Sequence, residues 1–234
     1  MRTAGIIGGM GPETTARFYL DVIFKCHHKN NKQRPPILLW SVPLLYRIEE
    51  DFIRNAEGAE NYLPYLIEAA KNLEKGGADF LVMPCNSVHV FINEIRREVE
   101  IPVLSILEET EKFVRSLNAR RIGLLATKLT INQKLYDKLL LQEIDIVKPG
   151  KSDQARLGRI ISKIVVSKNA DREKAQLIKI IWNLARKGAD TIILGCTDLQ
   201  LLTKPKEIPI PVHDTMDLLV DATVREILGT LNNP

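Results

Sequence analysis

The chain has 234 residues, 45% of them hydrophobic and 26% charged, which is enough apolar surface for a buried core and argues against disorder. Its 33 basic and 29 acidic residues leave a net charge of +4, and because the charges are scattered, no basic stripe indicates nucleic-acid binding. The longest apolar stretch, at 37–46, is too short to span a membrane and no secretory signal precedes the first glycines, so we expect a soluble, cytoplasmic protein.

The first elements alternate between strand and helix. The apolar run TAGIIGG enters a glycine turn, and GPETTARFYLDVIF follows it with Pro12 in the first turn and Glu13 near the positive end of the helix dipole. A second strand is predicted at 37–42. An apolar helical face then runs over 66–73 and ends at two glycines, before the strand DFLVMP at 79–84.

The same alternation continues to the end of the chain. A helix is predicted directly after Cys85, with its apolar positions running from Val88 to Val99. Further strands are predicted at 102–106, 121–126, 144–147, 191–195 and 210–213. Strands that alternate with helices over a whole chain indicate an α/β fold with parallel sheets covered by helices.

An internal repeat relates the two halves of the chain. The segment GGADFLVMPCNSVH at 76–89 matches KGADTIILGCTDLQ at 187–200, so that Cys85 is equivalent to Cys196. The neighbouring segments TAGIIGGM and RIGLLATK also resemble each other, as do IPVLSI and IPVHDT. We therefore expect two similar α/β lobes with parallel four-stranded sheets, related by a pseudo-twofold axis. Each lobe carries one cysteine at the carboxyl end of an equivalent strand, where open α/β sheets bind ligands.

The two repeated cysteines predict a reaction at carbon. If the lobes face each other, Cys85 and Cys196 reach one cleft from opposite sides, so one thiolate removes a proton from one face of a carbon while the other thiol supplies a proton to the opposite face. An ordinary thiol has a pKa of about 8.5, so one of them needs activation. The helix start after Cys85 and a positive charge on His89, one turn on, are candidates for this tuning.

Side chains beside the cysteines predict how a substrate is held. Asn86, Ser87 and Thr197 offer hydrogen-bond donors for a substrate carboxylate or for the charge that develops during proton removal. The GGMG turn at 8–11 lacks the third spaced glycine of a dinucleotide site and the lysine of a phosphate loop, so we interpret it as a tight turn that offers amides to the substrate.

The motifs PCNSVH and GCTDLQ, with GIIGGMGPETT and LLAT at 124–127, resemble the aspartate/glutamate racemase family, specifically its aspartate racemase branch of cofactor-independent amino-acid racemases. The resemblance covers nearly the whole chain. It implies a site between two lobes and a last helix that returns to the first, giving lobes at 1–106 plus 214–234 and at 107–213. It also implies a homodimer and a small amino-acid substrate, aspartate or glutamate first, with no cofactor and no metal.

The resemblance also implies roles for individual residues. Cys85 and Cys196 become the two catalytic acid/bases, and the site is completed by residues that bind or border the substrate: Met10, Asn86, Ser87, Thr127 and Thr197. Aspartate-specific members hold the substrate carboxylates with an arginine and a lysine. Here Arg47 lies one position from that arginine and Val165 stands where the lysine falls, while Asp198 replaces a commoner glutamate and is a second candidate for tuning the thiols.

Other interpretations stay open from the sequence. Arg47 and the acidic residues at 49–51 also fit a solvated loop face. Cys26 is most simply a structural cysteine, and His27 and His28 have no second cluster at metal-ligand spacing. The alternative functions are a related isomerase or decarboxylase acting on another carboxylic acid, a thiol redox or sensor protein, and a binding module without turnover.

Overall fold

The computed structural model describes residues 1–140, 144–164, 171–202, 208 and 210–229. The strands are β1 Ala4–Gly8, β2 Ile37–Ser41, β3 Phe80–Val82, β4 Val103–Leu104, β5 Arg121–Ala126, β6 Asp145–Val147, β7 Thr191–Gly195 and β8 Val212–Asp214. The α-helices are α1 Pro12–Lys29, α2 Tyr46–Asn55, α3 Leu63–Lys75, α4 Ile92–Glu98, α5 Ile106–Ser116, α6 Lys128–Asn132, α7 Asp137–Leu140, α8 Lys151–Ile164, α9 Asp171–Arg186 and α10 Thr215–Leu228. Within these ranges, no helix has both the length and the apolar character needed to cross a membrane.

The strands form two parallel sheets with the same topology. The first sheet has the order β2-β1-β3-β4 and the second has the order β6-β5-β7-β8. All neighbouring strands run parallel. The prediction of two parallel four-stranded sheets flanked by helices is confirmed, and the strands that precede Cys85 and Cys196 occupy equivalent positions. The lobe boundaries at 106 and 213 stay predictions.

Both faces of the sheets are covered, which explains the nearly continuous apolar character of the strands. In β1 every residue is buried, with Ile6 packing on one side of the sheet and Ile7 on the other. Helices α3 and α4 cover the outer face of the first sheet, and α8 and α9 cover the outer face of the second. Each fully buried Ile or Leu stabilises the fold by about 1.5–3 kcal/mol.

The inner faces of the two sheets share one hydrophobic cluster. It contains Ile6 and Val82 from the first sheet and Ile122 and Ile193 from the second, with side chains from α1, α5 and α10. Helix α10 packs against both α1 and α5. The two sheets are therefore joined by a continuous core.

The start of α10 contains a buried carboxyl group with an unusual pKa. Asp214 caps the helix, since its Oδ1 accepts a hydrogen bond from the Met216 amide at 2.9 Å. Its Oδ2 is buried and has no hydrogen-bond partner among the described residues. Burial is the main cause that raises the pKa of Asp214 to about 7, and nearby carboxylates act in the same direction.

Asp214→Asn is expected to stabilise the protein at alkaline pH. The folded-state pKa lies above the unfolded value of about 3.9, so ionisation between these values costs stability as pH rises. The amide carries no charge and still caps the helix. We expect a gain of about 1–3 kcal/mol at a pH above the folded pKa and almost none below the unfolded one. Denaturant unfolding at both pH values measures this, and an equal change at both would contradict it.

Candidate active site

A cavity of about 50 Å³ lies at the carboxyl ends of β3 and β7. Most of the site residues predicted from the sequence border it: Met10, Cys85, Asn86, Ser87, Thr127, Cys196, Thr197 and Asp198. They come from both halves of the chain, and the two thiols share this one cavity. Arg47 and His89 are not part of its lining.

Both cavity cysteines are free thiols whose pKa values are raised. Burial raises the pKa of Cys85 to about 11, and backbone N–H groups of Val88 and Ser87 act in the opposite direction. Burial also raises the pKa of Cys196 well above its usual value, followed by the charge of Asp198. Cys196 Sγ donates to Asp198 Oδ2 at 3.9 Å. Because both pKa values are raised, both thiols are protonated at neutral pH.

His89 holds the first cysteine turn in place but does not charge it. Its Nε2 accepts a hydrogen bond from the Ile106 amide at 3.1 Å, so Nδ1 carries the proton and donates to the Cys85 carbonyl at 2.8 Å. Burial lowers the pKa of His89 to about 4, which leaves the ring neutral at pH 7. The sequence-based expectation that His89 carries a positive charge is therefore wrong. The element after Cys85 also begins as a 3₁₀ turn, Ser87–Phe91, and becomes α-helical only at Ile92.

Two polar side chains tie the cysteine turns to the rest of the fold. Asn86 donates from Nδ2 to Thr215 Oγ1 at 3.0 Å and accepts a hydrogen bond from the Tyr136 hydroxyl. Thr197 donates from Oγ1 to the carbonyl of Pro84 at 3.2 Å, which links the second cysteine turn directly to the first. These bonds fix the relative position of the two turns.

Three hydroxyl groups cluster beside the cavity, and two of them, on Ser87 and Thr127, belong to its lining. Ser87 Oγ lies 2.8 Å from Thr127 Oγ1 and 3.2 Å from Thr130 Oγ1. Thr127 also caps α6, accepting from the Thr130 amide at 3.2 Å. Because each hydroxyl both donates and accepts, the cluster can reorient to donate toward an anionic group in the cavity.

The glycine turn positions the acidic group beside the second thiol. Gly9 and Gly11 have φ values of 92° and 86°, which side chains rarely adopt. A Cβ on Gly11 would lie 3.0 Å from Asp198 Oδ1, and the same carboxylate accepts a hydrogen bond from Thr14 in the first turn of α1. The turn therefore brings Met10 and the start of α1 against the cavity.

The segment after β2 differs from its sequence interpretation. Residues 46–55 form helix α2 rather than a solvated loop. Arg47 is exposed and is not part of the cavity lining, whereas Glu49 and Phe52, three positions apart on one helical face, border the cavity. The predicted substrate role of Arg47 therefore has no support in this geometry. Val165 lies outside the described residues.

The sequence interpretation missed four residues of the lining, which are Glu49, Phe52, Tyr62 and Ile161, whereas Gly11 belongs to the turn predicted to offer amides to the substrate. Tyr62 is only 2% exposed, and its ring packs on Phe52 with centroids 4.5 Å apart. Its hydroxyl has no hydrogen bond with the described residues. Ile161 lies on α8, which contacts α2 across the cavity. The helical period of YRIEEDF was the one available signal for Glu49 and Phe52.

A larger groove of about 850 Å³ adjoins the cavity and shares Thr127 and Ile161 with it. Its walls are α6, α8 and Thr127, which directly precedes α6. The basic residues that line it are Lys128, Lys151, Arg159 and Lys163. Of these, Lys163 forms an ion pair with Glu173 at 3.0 Å. The groove is therefore basic where the cavity is acidic.

Known proteins share this chain's sequence and architecture. The Asp/Glu/Hydantoin racemase family model matches residues 7–223. The broad specificity amino-acid racemase RacX of Bacillus subtilis is 30% identical over 233 residues, which cover 96% of this chain and 98% of RacX. The structure of an aspartate racemase homologue from Pyrococcus horikoshii is 27% identical, with a TM-score of 0.79, and the match covers 97% of this chain and all of that one. The structure of the Picrophilus torridus aspartate racemase is 25% identical, with a TM-score of 0.80, and the match covers 97% of this chain and 94% of that one. On this combined evidence of sequence, fold and site, the chain belongs to the Asp/Glu/hydantoin racemase family.

Proposed function

We propose that this protein interconverts L- and D-amino acids by direct proton transfer at Cα, with Cys85 and Cys196 as the two acid/base groups. The observation that carries the proposal is the placement of both thiols in one cavity, at the ends of equivalent strands from the two halves of the chain. A pair of groups on opposite sides of a carbon is what inversion by two-base proton transfer requires.

The reaction balances with the two thiols alone. One cysteine, as the thiolate, removes the Cα proton and becomes a thiol. The other, as the thiol, donates its proton to the opposite face of the same carbon and becomes the thiolate. The enzyme then stands ready for the reverse direction, and exchange with solvent restores the first arrangement.

The carbanion formed between the two steps needs stabilisation. Its negative charge spreads into the substrate carboxylate, which gains an enediolate-like character. Hydroxyl donors from Ser87 and Thr127 lie on the cavity wall, and the backbone amides after Cys85 add further donors. Fixed donors in a small, desolvated cavity stabilise such a charge more than water does.

The substrate ammonium group helps to form the thiolate. In the state described, burial and Asp198 keep both thiols protonated. A substrate ammonium beside Asp198 offsets that carboxylate charge and adds a positive charge close to Cys196. Both effects lower the thiol pKa values, so binding itself favours the reactive ionisation state.

Proton NMR in D₂O tests the proposed reaction. The purified protein is incubated under reducing conditions with single L- and D-amino acids, and loss of the α-proton signal is followed. Aspartate and glutamate, the candidates implied by the resemblance, belong in the panel, and the breadth suggested by RacX calls for neutral and basic amino acids too. Exchange accompanied by inversion on chiral chromatography is the expected result, and no exchange with any amino acid would contradict the proposal.

A further inference from the structure

We propose that Glu49 makes this enzyme selective for amino acids with a cationic side chain, an ammonium or a guanidinium group, over those with an acidic one. The inference rests on the proposed function, since it names the substrate class of the same cavity. It departs from the aspartate or glutamate implied by the sequence resemblance.

The first observation is the charge of the cavity. Glu49 and Asp198 border it, and the described lining contains no lysine, arginine or histidine. The side-chain carboxylate of aspartate or glutamate would enter beside two carboxylates, with no cationic side chain among the described residues of the wall. A cationic side chain would meet a favourable potential in the same place.

The second observation is that Glu49 has no partner of its own. The carboxylate is half-buried, and it forms no hydrogen bond or ion pair with the described residues. Burial raises its pKa, followed by repulsion from Asp198 and Glu13. A carboxylate held against the charge of its neighbours lowers stability unless something offsets it. A cation bound in the cavity provides that compensation.

The third observation separates the two carboxylates in space. Asp198 lies beside Cys196, close to where the reacting carbon must sit, and is therefore placed for the α-ammonium group that every amino acid carries. Glu49 comes from α2 on the other half of the chain, next to the rings of Phe52 and Tyr62. Aromatic rings suit the methylene chain of a long side chain, and their faces attract a cation at its end.

The hydroxyl of Tyr62 adds a polar group to the part of the cavity wall formed by Glu49, Phe52 and Tyr62. The residue is 2% exposed, borders the cavity, and its hydroxyl has no partner among the residues described. Its pKa is raised by burial first and then by the neighbouring Cys85 and Glu49. A ligand between these groups can accept from the hydroxyl while its cation pairs with Glu49.

The basic groove suggests the competing assignment, in which an acidic substrate side chain binds to its lysines and arginine. Its lysines and arginine line the groove and not the cavity, and the wall formed by Thr127 and Ile161 borders both. An acidic side chain would need to extend past this wall to reach them, whereas Glu49 borders the cavity that contains the thiols. The charge nearest the reacting groups therefore favours a cationic substrate.

The test compares lysine with its uncharged analogue. We expect kcat/KM for α-proton exchange to be about tenfold higher with L-lysine than with L-norleucine, and both to exceed L-aspartate and L-glutamate, a difference equal to one ion pair of moderate strength. Glu49→Gln should bring the lysine-to-norleucine ratio of kcat/KM close to one. Glu50→Gln, the same change at an exposed position of the same helix, is the matched control and should leave the lysine advantage intact.

The outcomes separate this inference from the proposed function. A preference for aspartate or glutamate in the unmodified protein would overturn the inference and assign the side chain to the groove. An equal loss for all substrates in Glu49→Gln would also overturn it, because Glu49 would then serve the α-ammonium group or the fold. Calorimetric titration with lysine and norleucine reads the same preference without turnover. Glu49-dependent lysine binding without exchange would support the inference and contradict the racemase proposal.

Discussion

Alanine at Cys85 or at Cys196 is expected to reduce racemisation by about 10²–10⁴-fold, the contribution of a positioned general acid or base. Each replacement removes the proton acceptor or donor on one face of the substrate, so neither direction can be completed. The fold is expected to survive, since each side chain is small and borders a cavity. Chiral chromatography of the product measures the loss, and circular dichroism checks the fold.

Cys26→Ala is the matched control for these variants. Cys26 is a buried free thiol in α1 that packs in the central cluster, away from the cavity. Its replacement removes a thiol and leaves both acid/base groups in place, so activity should persist. Full activity in either cavity variant would contradict the two-thiol mechanism.

The isotope content of the product distinguishes two bases from one. With two bases in D₂O, the inverted product carries solvent deuterium from the first turnover, while the remaining substrate keeps its α-proton. A single base that serves both faces would return some of the original proton to the product. Early time points by NMR and mass spectrometry read this difference, and protium in the product would contradict separate thiols.

The rate is expected to rise steeply with pH. Because burial raises the pKa of Cys85 to about 11 and Asp198 raises both thiol pKa values, only a small fraction is ionised at neutral pH in the free enzyme. Below the pKa the thiolate fraction grows about tenfold per pH unit, so kcat/KM should increase about a hundredfold between about pH 7 and 9. A rate profile that is flat over this range would contradict the raised pKa values.

Asp198→Asn is expected to move the thiol titration to lower pH. Removing the carboxylate charge takes away a cause that raises the pKa of both Cys196 and Cys85. Thiolate ultraviolet absorbance of the free protein follows the titration directly, without substrate. The same variant should raise KM, since the ammonium loses its partner. A shift of the titration to higher pH would show that Asp198 acts on the thiols by other means than charge.

The fold was predictable because its signals are local. The strands β1, β3 and β7 are buried along their whole length, and the two cysteine segments repeat the same pattern, so Cys85 and Cys196 could be paired before any contact was known. Parallel order follows from the alternation with helices. The homodimer and the cytoplasmic location stay predictions.

The parts of the site that were missed depend on tertiary contacts. Glu49 reaches the cavity because α2 folds over it, and no motif in VPLLYRIEED distinguishes Glu49 from its acidic neighbours. Arg47 was chosen by resemblance, although the helix turns it outward. The charge of His89 depends on its burial and on a hydrogen bond from the Ile106 amide, which is distant in sequence.

The shared core between the sheets bears on two different requirements, the spacing of the two thiols and the entry of the substrate. Enzymes with a site between two halves often set the spacing of their reacting groups by closing a hinge. Here the inner faces pack in one cluster with α1, α5 and α10, so we expect close packing to hold the two sheets, and with them the two cysteine turns, at a fixed spacing. A cavity of about 50 Å³ must still enlarge to admit an amino acid. Helices α2 and α8 contact each other and both border this cavity, so we expect their separation, rather than a rotation of the halves, to admit the substrate.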